Sequence, residues 1–428
     1  MKKNDNKRKK TDKKPFFDKK RKTKVIEIDE ELDNVREVVI ERDSGFNTIE
    51  VMVIILISVL FGIVIGCILN STKSIGKEVS NEASEIITTY NAILENYYDE
   101  VDPSELADAA VSGMIGVLDD PYSVYMNSND TDSFLESVNG SFVGVGITVE
   151  WCDNIFRVVE VLDESPAADA GLNIDDVIVK IDGKDVNGLT LDELSNSIKG
   201  KVGSKVKITV KRNDEEITVT AKRAVVEIPS VTSEVYENNI GYIAIDSFSA
   251  TTYDQFNKAF KNLKNKDINS LIIDVRDNPG GKLGQVNKIL DLFFNKKTVL
   301  YKIVTKDKTT KIYADNSDKE SMPVVVLVNH ESASASEILA ASFKDNYKNS
   351  TIVGSVTYGK GTIQKAVELS SGASIKYTTQ KWLTPKGDWI NEKGIIPDEV
   401  VNQSDEYCLN PTFENDLQLQ KAIEVLKK

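Results

Sequence analysis

The sequence predicts a layered α/β domain with a largely parallel sheet, an inserted β-rich domain ahead of it, and an N-terminal helical region behind one apolar span. Three observations carry this. Between residues 226 and 403, apolar runs such as "IGYIAIDSF", "SLIIDV" and "MPVVVLV" alternate with helical-period segments such as "TYDQFNKAFKNLKN", "LGQVNKILDLFF" and "SASEILAASFKD". That alternation packs best as a sheet covered by helices. Between 142 and 222 the runs shorten to "FVGVGITVEW", "IFRVVEVL", "DVIVKIDG", "KVKITVKR" and "EITVTAKR", punctuated by Gly, Asp and Asn, as in a small barrel-like β domain. Residues 51–69, "VMVIILISVLFGIVIGCIL", contain no charge and are long enough to span a bilayer core.

The elements follow in chain order. Residues 1–48 form a charged tail whose first 24 positions hold thirteen Lys/Arg against three Asp. Such a basic flank places it on the cytoplasmic side, with residues 49–69 as an uncleaved signal anchor. The rest of the chain is then expected outside the cytoplasm of a bacterial cell, single-pass in the membrane. "VIGC", ending at Cys67, looks like a lipobox but lies deep inside the apolar run. Residues 71–428 carry 38 basic and 55 acidic side chains, a balance that argues against nucleic-acid binding. Three cysteines (Cys67, Cys152, Cys408) and one histidine, His330, leave no disulfide framework and no His/Cys metal site, so no cofactor is expected.

Residues 70–138 read as helices, with Asp102 or Ser104 capping the second, and their amphipathic pattern allows a homodimer together with the terminal helix at 405–428. The β domain spans 139–224. Its "GVGI" (Gly144, Val145, Gly146, Ile147) and "SPAADAGLNIDDVIVKIDG" resemble the two signatures of PDZ domains. A glycine-lined loop beside an open strand edge can take a terminal carboxylate and pair with the ligand backbone.

In the 225–404 domain, functional groups should gather at the carboxyl ends of the strands. Two segments fit. "DNPGG" follows one strand, and its glycines free backbone N–H groups to face a ligand. "NHESASASE" follows another and offers Ser332, Ser334 and Ser336 where a helix begins. The lone His330 ends a strand within a few residues of every serine, a poor position for a base. A neutral lysine can serve instead if burial lowers its pKa. Lys360, between two glycines in "YGKGTIQ", is a candidate, and Gln364 falls on the same face of an extended run.

Taken in order, "GMIGVLDDPYSVYM", "GSFVGVGI", the PDZ signature, "LIIDVRDNPGG", "SASASEILAASFKDN", "YGKGTIQ", "LTPKGDWINEKGIIPD" and "DLQLQKAIEVL" span residues 85–425. They resemble the C-terminal processing peptidases, tail-specific serine proteases of family S41 with a PDZ domain. The resemblance implies a crotonase-like (ClpP/crotonase) protease core and a Ser-Lys dyad, with Ser334 as nucleophile, Lys360 as base and Gln364 supporting it. It also implies an oxyanion hole from the N–H of Ala335 and of Gly280 or Gly281, and protein or peptide substrates with apolar C-termini read by the PDZ loop. Three departures stand out: "AAS" (Ala340, Ala341, Ser342) where relatives more often have "AGA", a segment between Ser334 and Lys360 that is about one residue longer than expected, and Lys199 where an arginine is common. Two other readings are a catalytically inert PDZ scaffold and an S-x-x-K acyl transferase. The latter spacing occurs only at Ser74 to Lys77 and Ser204 to Lys207, without a K-T-G partner.

Overall fold

A computed structural model describes residues 80–317 and 320–427, together with the backbone of two antiparallel strands, Thr23–Glu27 and Arg36–Ile40. The expected membrane segment at 49–69 and Cys67 lie outside the described residues. Among the described residues no helix is long and apolar enough to cross a membrane. The chain divides into two compact units, Met1–Val101 and Asp102–Lys428. The described helix of the first, Asn81–Asn96, is capped by Ser80 and leaves Ile86 and Ile87 exposed.

The second unit is built on a six-stranded sheet. Its order is Val231–Tyr236, Ile240–Ile245, Ser270–Asp274, Val324–Val328, Ser350–Gly354 and Glu399–Val400. Only the first pair is antiparallel. Every residue of Ser270–Asp274 and Val324–Val328 is buried, which explains the unbroken apolar runs Leu271–Ile273 and Val324–Val328: a strand covered on both faces has no polar side to present. Alternate residues divide between the two faces. Leu271, Ile273, Val324, Val326 and Val328 join Phe256, Ile289, Leu339 and Phe343 under the helices Thr252–Lys264, Leu283–Asp291 and Ala335–Asn346. On the other face, Ile272, Val325 and Leu327 pack with Leu419, Ala422 and Ile423 of the terminal helix Leu417–Leu426.

A second, antiparallel sheet runs Thr309–Tyr313, Val299–Val304, Ser374–Leu383, Thr362–Glu368, and Val124–Met126 also pairs with Ser374–Leu383. The helix Pro103–Gly116 leads toward that small strand, and Asp102 rather than Ser104 is its cap, accepting from the N–H of Ser104 and Glu105. The inserted β domain has its own core around Phe156, Ile178, Leu194, Ile208 and Val210. It enters and leaves the unit through a two-stranded ribbon, Ser141–Gly144 with Ala224–Glu227. Ile147–Cys152 is the outer strand of its sheet.

The terminal helix is tied to the sheet by charge as well as by packing. The Arg276 guanidinium donates to both carboxylate oxygens of Asp274, at 2.6–3.0 Å, and to both of Asp416, at 2.9 Å. Arg276 and Asp416 are nearly buried, at 8% and 5% side-chain exposure. Asp416 also caps the helix by accepting from Leu419 N–H. Burial works against its charge, but Arg276 and the cap outweigh it and hold the carboxyl below its ordinary pKa. Asp416→Ala leaves Arg276 paired with Asp274 but removes two charge-assisted hydrogen bonds and the helix cap, and is expected to cost ~2–4 kcal/mol in thermal or denaturant unfolding. A depressed carboxyl stabilises the fold above its unfolded pKa of about 3.9 and loses that contribution as pH falls through the lower folded value. The gap between wild type and Asp416→Ala should therefore be full at pH 7 and narrow below about pH 4.

Candidate active site

Three neighbouring parallel strands, Ser270–Asp274, Val324–Val328 and Ser350–Gly354, deliver their following loops to the same edge of the sheet. These loops hold the "DNPGG" turn, the serine cluster and the Lys360 segment. They meet at a cavity of about 560 Å³ lined by Ser334, Lys360, Gln364, Gly280, Gly281 and Lys376, with Phe134, Val138, Phe248 and Leu283 among its apolar walls.

The three serines have different fates. Ser332 is buried and donates to Val275 O at 2.7 Å, while Ser336 is buried and donates to Asn278 O at 2.9 Å. Both hydroxyls hold the serine segment against the chain that carries the glycine turn. Ser334 alone reaches the cavity. It stands immediately before the helix Ala335–Asn346 with φ 54° and ψ −108°, a conformation that costs an L-residue of order 1–3 kcal/mol and persists only where the surroundings impose it.

What imposes it is Glu337, which in the sequence only closes the run "NHESASASE". Its side chain is wholly buried. One oxygen accepts from Ser334 N–H at 2.8 Å and Lys360 N–H at 2.9 Å, the other from Gly359 N–H at 2.7 Å and the Thr357 hydroxyl at 2.6 Å. Burial pushes its pKa up, against the pull of these four donors. One carboxylate thus joins the serine loop to the lysine loop.

The glycine turn is fixed by Asn278. Its side chain donates to Ile245 O at 2.7 Å and accepts from Gly280 N–H at 2.8 Å, while its carbonyl accepts from Ala333 N–H at 3.0 Å. Gly280 has φ 101°, and a Cβ there would lie 2.8 Å from Ser334 Cβ and 2.9 Å from Ala335 N. Only glycine leaves that space open. The Gly280 N–H is thus engaged, whereas among the described residues neither Gly281 N–H nor Ala335 N–H finds an acceptor.

Lys360 is half-buried, with its ammonium 4.6 Å from the centre of the Tyr122 ring. Burial, joined by the nearby Lys376 charge, lowers its pKa, and Asp120 and Glu337 oppose that. Gln364 lines the same cavity, but a β-bulge between Ile363 and Gln364 interrupts simple alternation. Its amide donates to Thr362 at 2.9 Å and Thr378 at 3.1 Å, not to Lys360. His330 is exposed, with its ring 6.0 Å from that of Tyr358, and does not line the cavity. Ser204 of the S-x-x-K spacing sits in the β domain and donates to Lys201 O, while Ser74 lies outside the described residues.

In the β domain, Gly144, Val145, Gly146 and Ile147 close one end of a groove of about 290 Å³. The outer strand Ile147–Cys152 and the helix Leu191–Ile198 flank it, with Leu191, Leu194 and Ile198 on its apolar side. Lys199, at the end of that helix, pairs at 2.7 Å with Glu136 of the helix Ser128–Asn139, whose Phe134, Ser137 and Val138 line the serine cavity.

Known proteins match most of the chain. Residues 239–401 match the model of "Peptidase family S41", 143–222 that of "PDZ domain", and 68–130 that of "Activating protease CtpB N-terminal domain". The chain is 38% identical over 329 residues to the carboxy-terminal processing protease CtpA of Bacillus subtilis (strain 168), covering 76% of this chain and 70% of that one. The chain belongs to peptidase family S41. The carboxy-terminal processing protease CtpB of the same organism is 36% identical over 361 residues, covering 83% of this chain and 74% of its own. A solved structure titled photosystem II D1 C-terminal processing protease matches at TM-score 0.44 and 26% identity, covering 76% of this chain and 94% of that one. The S41 relationship makes this chain a serine peptidase of the carboxy-terminal processing type with a PDZ domain.

Two substitutions probe how the peptidase site is held. Gly280→Ala places a methyl between Ser334 and Ala335, and is expected to lower peptide hydrolysis by at least ~10²-fold while the protein stays folded by circular dichroism. Glu337→Ala leaves four donors without their acceptor, and should both abolish hydrolysis and reduce unfolding free energy by ~3 kcal/mol or more.

Proposed function

We propose that the peptidase is a membrane-anchored endopeptidase that cuts proteins outside the cytoplasm with a Ser334–Lys360 dyad. The observation that carries the dyad is the sharing of one cavity by Ser334, Lys360 and Gly281, whose N–H, like that of Ala335 next to Ser334, finds no acceptor among the described residues. Neutral Lys360 takes the Ser334 proton as Oγ bonds to the scissile carbonyl carbon. The carbonyl oxygen, now an anion, accepts from Ala335 and Gly281 N–H. Lys360 then returns the proton to the departing amine as the C–N bond breaks, and water hydrolyses the acyl-enzyme by the same route. Gly280 contributes open space, its own N–H being held by Asn278. Gln364 supports the floor of the site through Thr362 and Thr378.

The parallel sheet with its nucleophile at a helix start supports a crotonase-like core. The groove beside the outer strand Ile147–Cys152 suits a substrate tail pairing with that strand, its carboxylate on the N–H groups of the loop at residues 144–147 and an apolar terminal side chain between Leu191, Leu194 and Ile198. The uncharged segment 51–69 behind a basic flank supports the anchor and its orientation. Exposed Ile86, Ile87, Tyr97 and Tyr98 support self-association as a homodimer.

The test uses the full-length protein in detergent, with unfolded protein substrates ending in apolar or charged residues, and product masses as readout. Wild type should cleave the apolar-ended substrate, and Ser334→Ala and Lys360→Ala should each lose at least ~10³-fold of kcat. Because the base must be unprotonated, kcat/KM should rise with pH through a pKa below the ordinary lysine value. Full activity in Lys360→Ala would exclude the dyad, and silence of wild type on every substrate would favour an inert scaffold.

A further inference from the structure

We infer that Tyr122, from the segment ahead of the PDZ domain, is a positioning residue for the lysine of the catalytic site, holding the Lys360 ammonium against the face of its ring. The inference rests on Lys360 being the base, as proposed above. The lysine is chemically demanding: it must be neutral to accept the serine proton, yet it becomes a cation in a partly buried site as soon as it does. A group that favours the cation without pairing with it rigidly eases that step.

The ammonium lies 4.6 Å from the Tyr122 ring centre, within the range of a cation–π contact. Among the described residues it makes no ion pair or side-chain hydrogen bond that would compete. The side chain expected from the sequence to hold it, Gln364, has its amide engaged by Thr362 and Thr378. The charged groups around Lys360 are Lys376 from the facing strand, which disfavours the cation, and Asp120 and Glu337, which favour it. Glu337 already accepts four hydrogen bonds from the two loops. Asp120 accepts from Ser123 Oγ at 2.5 Å and Tyr122 N–H at 3.2 Å. The ring face is therefore the direct partner. Burial and the neighbouring Tyr358 push the Tyr122 hydroxyl up to about 12, so the ring meets the lysine as a neutral phenol.

The placement of Tyr122 is itself built. Val124–Met126 pairs with Ser374–Leu383, setting Val124 opposite Lys376, and the Ser123 hydroxyl accepts from Thr378 N–H at 3.2 Å. Thr378 is also the residue that receives the Gln364 amide. The strand beneath the lysine thus clamps the Tyr122 segment and Gln364 together. Tyr122 lies in the part of the chain that matches the CtpB N-terminal domain model, outside the residues that match the peptidase model. The N-terminal segment thereby completes a site that the peptidase core leaves unfinished.

The experiment compares Tyr122→Phe, Tyr122→Leu and a variant carrying 3,4,5-trifluorophenylalanine at 122, all in the full-length protein with a peptide substrate ending in apolar residues. Fluorination withdraws charge from the ring face while keeping its shape, so it separates electrostatics from packing. The expected result is near-wild-type kcat for Phe and a roughly 5- to 30-fold lower kcat with unchanged KM for the Leu and fluorinated variants. Because the ring favours the ammonium, its loss should also move the acid limb of kcat/KM to lower pH. The inference is overturned if the fluorinated variant keeps wild-type kcat and pH profile, or if Phe is as damaged as Leu. Lys360→Ala, run alongside, separates the two ideas. An active Lys360→Ala removes the base assignment on which everything here stands, whereas an inactive one with a silent fluorinated variant removes only the role of Tyr122.

Discussion

The catalytic edge of this peptidase depends on one buried carboxylate. Glu337 has no water to solvate it, and an unpaired charge in that position would be prohibitively costly. Its four donors come from Ser334, Thr357, Gly359 and Lys360, three of them backbone N–H groups. Side chains can change rotamer, but backbone donors move only if the chain moves. The carboxylate therefore sets the path of two loops at once, and the strained backbone at Ser334 is what that restraint looks like locally.

Asn278 does for the glycine turn what Glu337 does for the lysine loop. It links the turn to the strand Ile240–Ile245 through Ile245 O and to the serine loop through Ala333 N–H and Ser336 Oγ. Directly before this turn, Arg276 anchors the chain to Asp274 and to Asp416 of the terminal helix. The three loops are thus tied to one another above the sheet, and one of them is pinned from the opposite face. No single loop can drift without breaking a buried hydrogen bond.

Much of this was legible beforehand, and the part that was not has physical causes. Fully apolar "VVVLV" and "LII" mark strands covered on both faces, and that is where the structure buries every residue. The serine cluster was visible, but nothing local distinguishes Ser334 from Ser332 and Ser336, because their hydroxyls are spoken for by Val275 O and Asn278 O, far away in the chain. Glu337 reads as an ordinary acid in the first turn of a helix, which is its usual role there. Period-two alternation put Gln364 on the face of Lys360, and both do line one cavity, yet the bulge at Ile363 and the cross-strand Thr378 redirect its hydrogen bonds. The proximity of Tyr122 to Lys360 depends on pairing between strands at opposite ends of the unit, which no window of sequence contains.

The delivery of three loops by three neighbouring parallel strands also has a bearing on when the peptidase becomes dangerous to other proteins. Parallel strands pair only after long crossover segments have closed, and such contacts form late and slowly compared with local helices and hairpins. A half-folded chain has its serine, its glycine turn and its lysine on unconnected pieces, with Glu337 still in water. The arrangement proposed for catalysis therefore arrives only with the finished sheet, and on that reading a nascent chain cannot cut its neighbours before its core has closed.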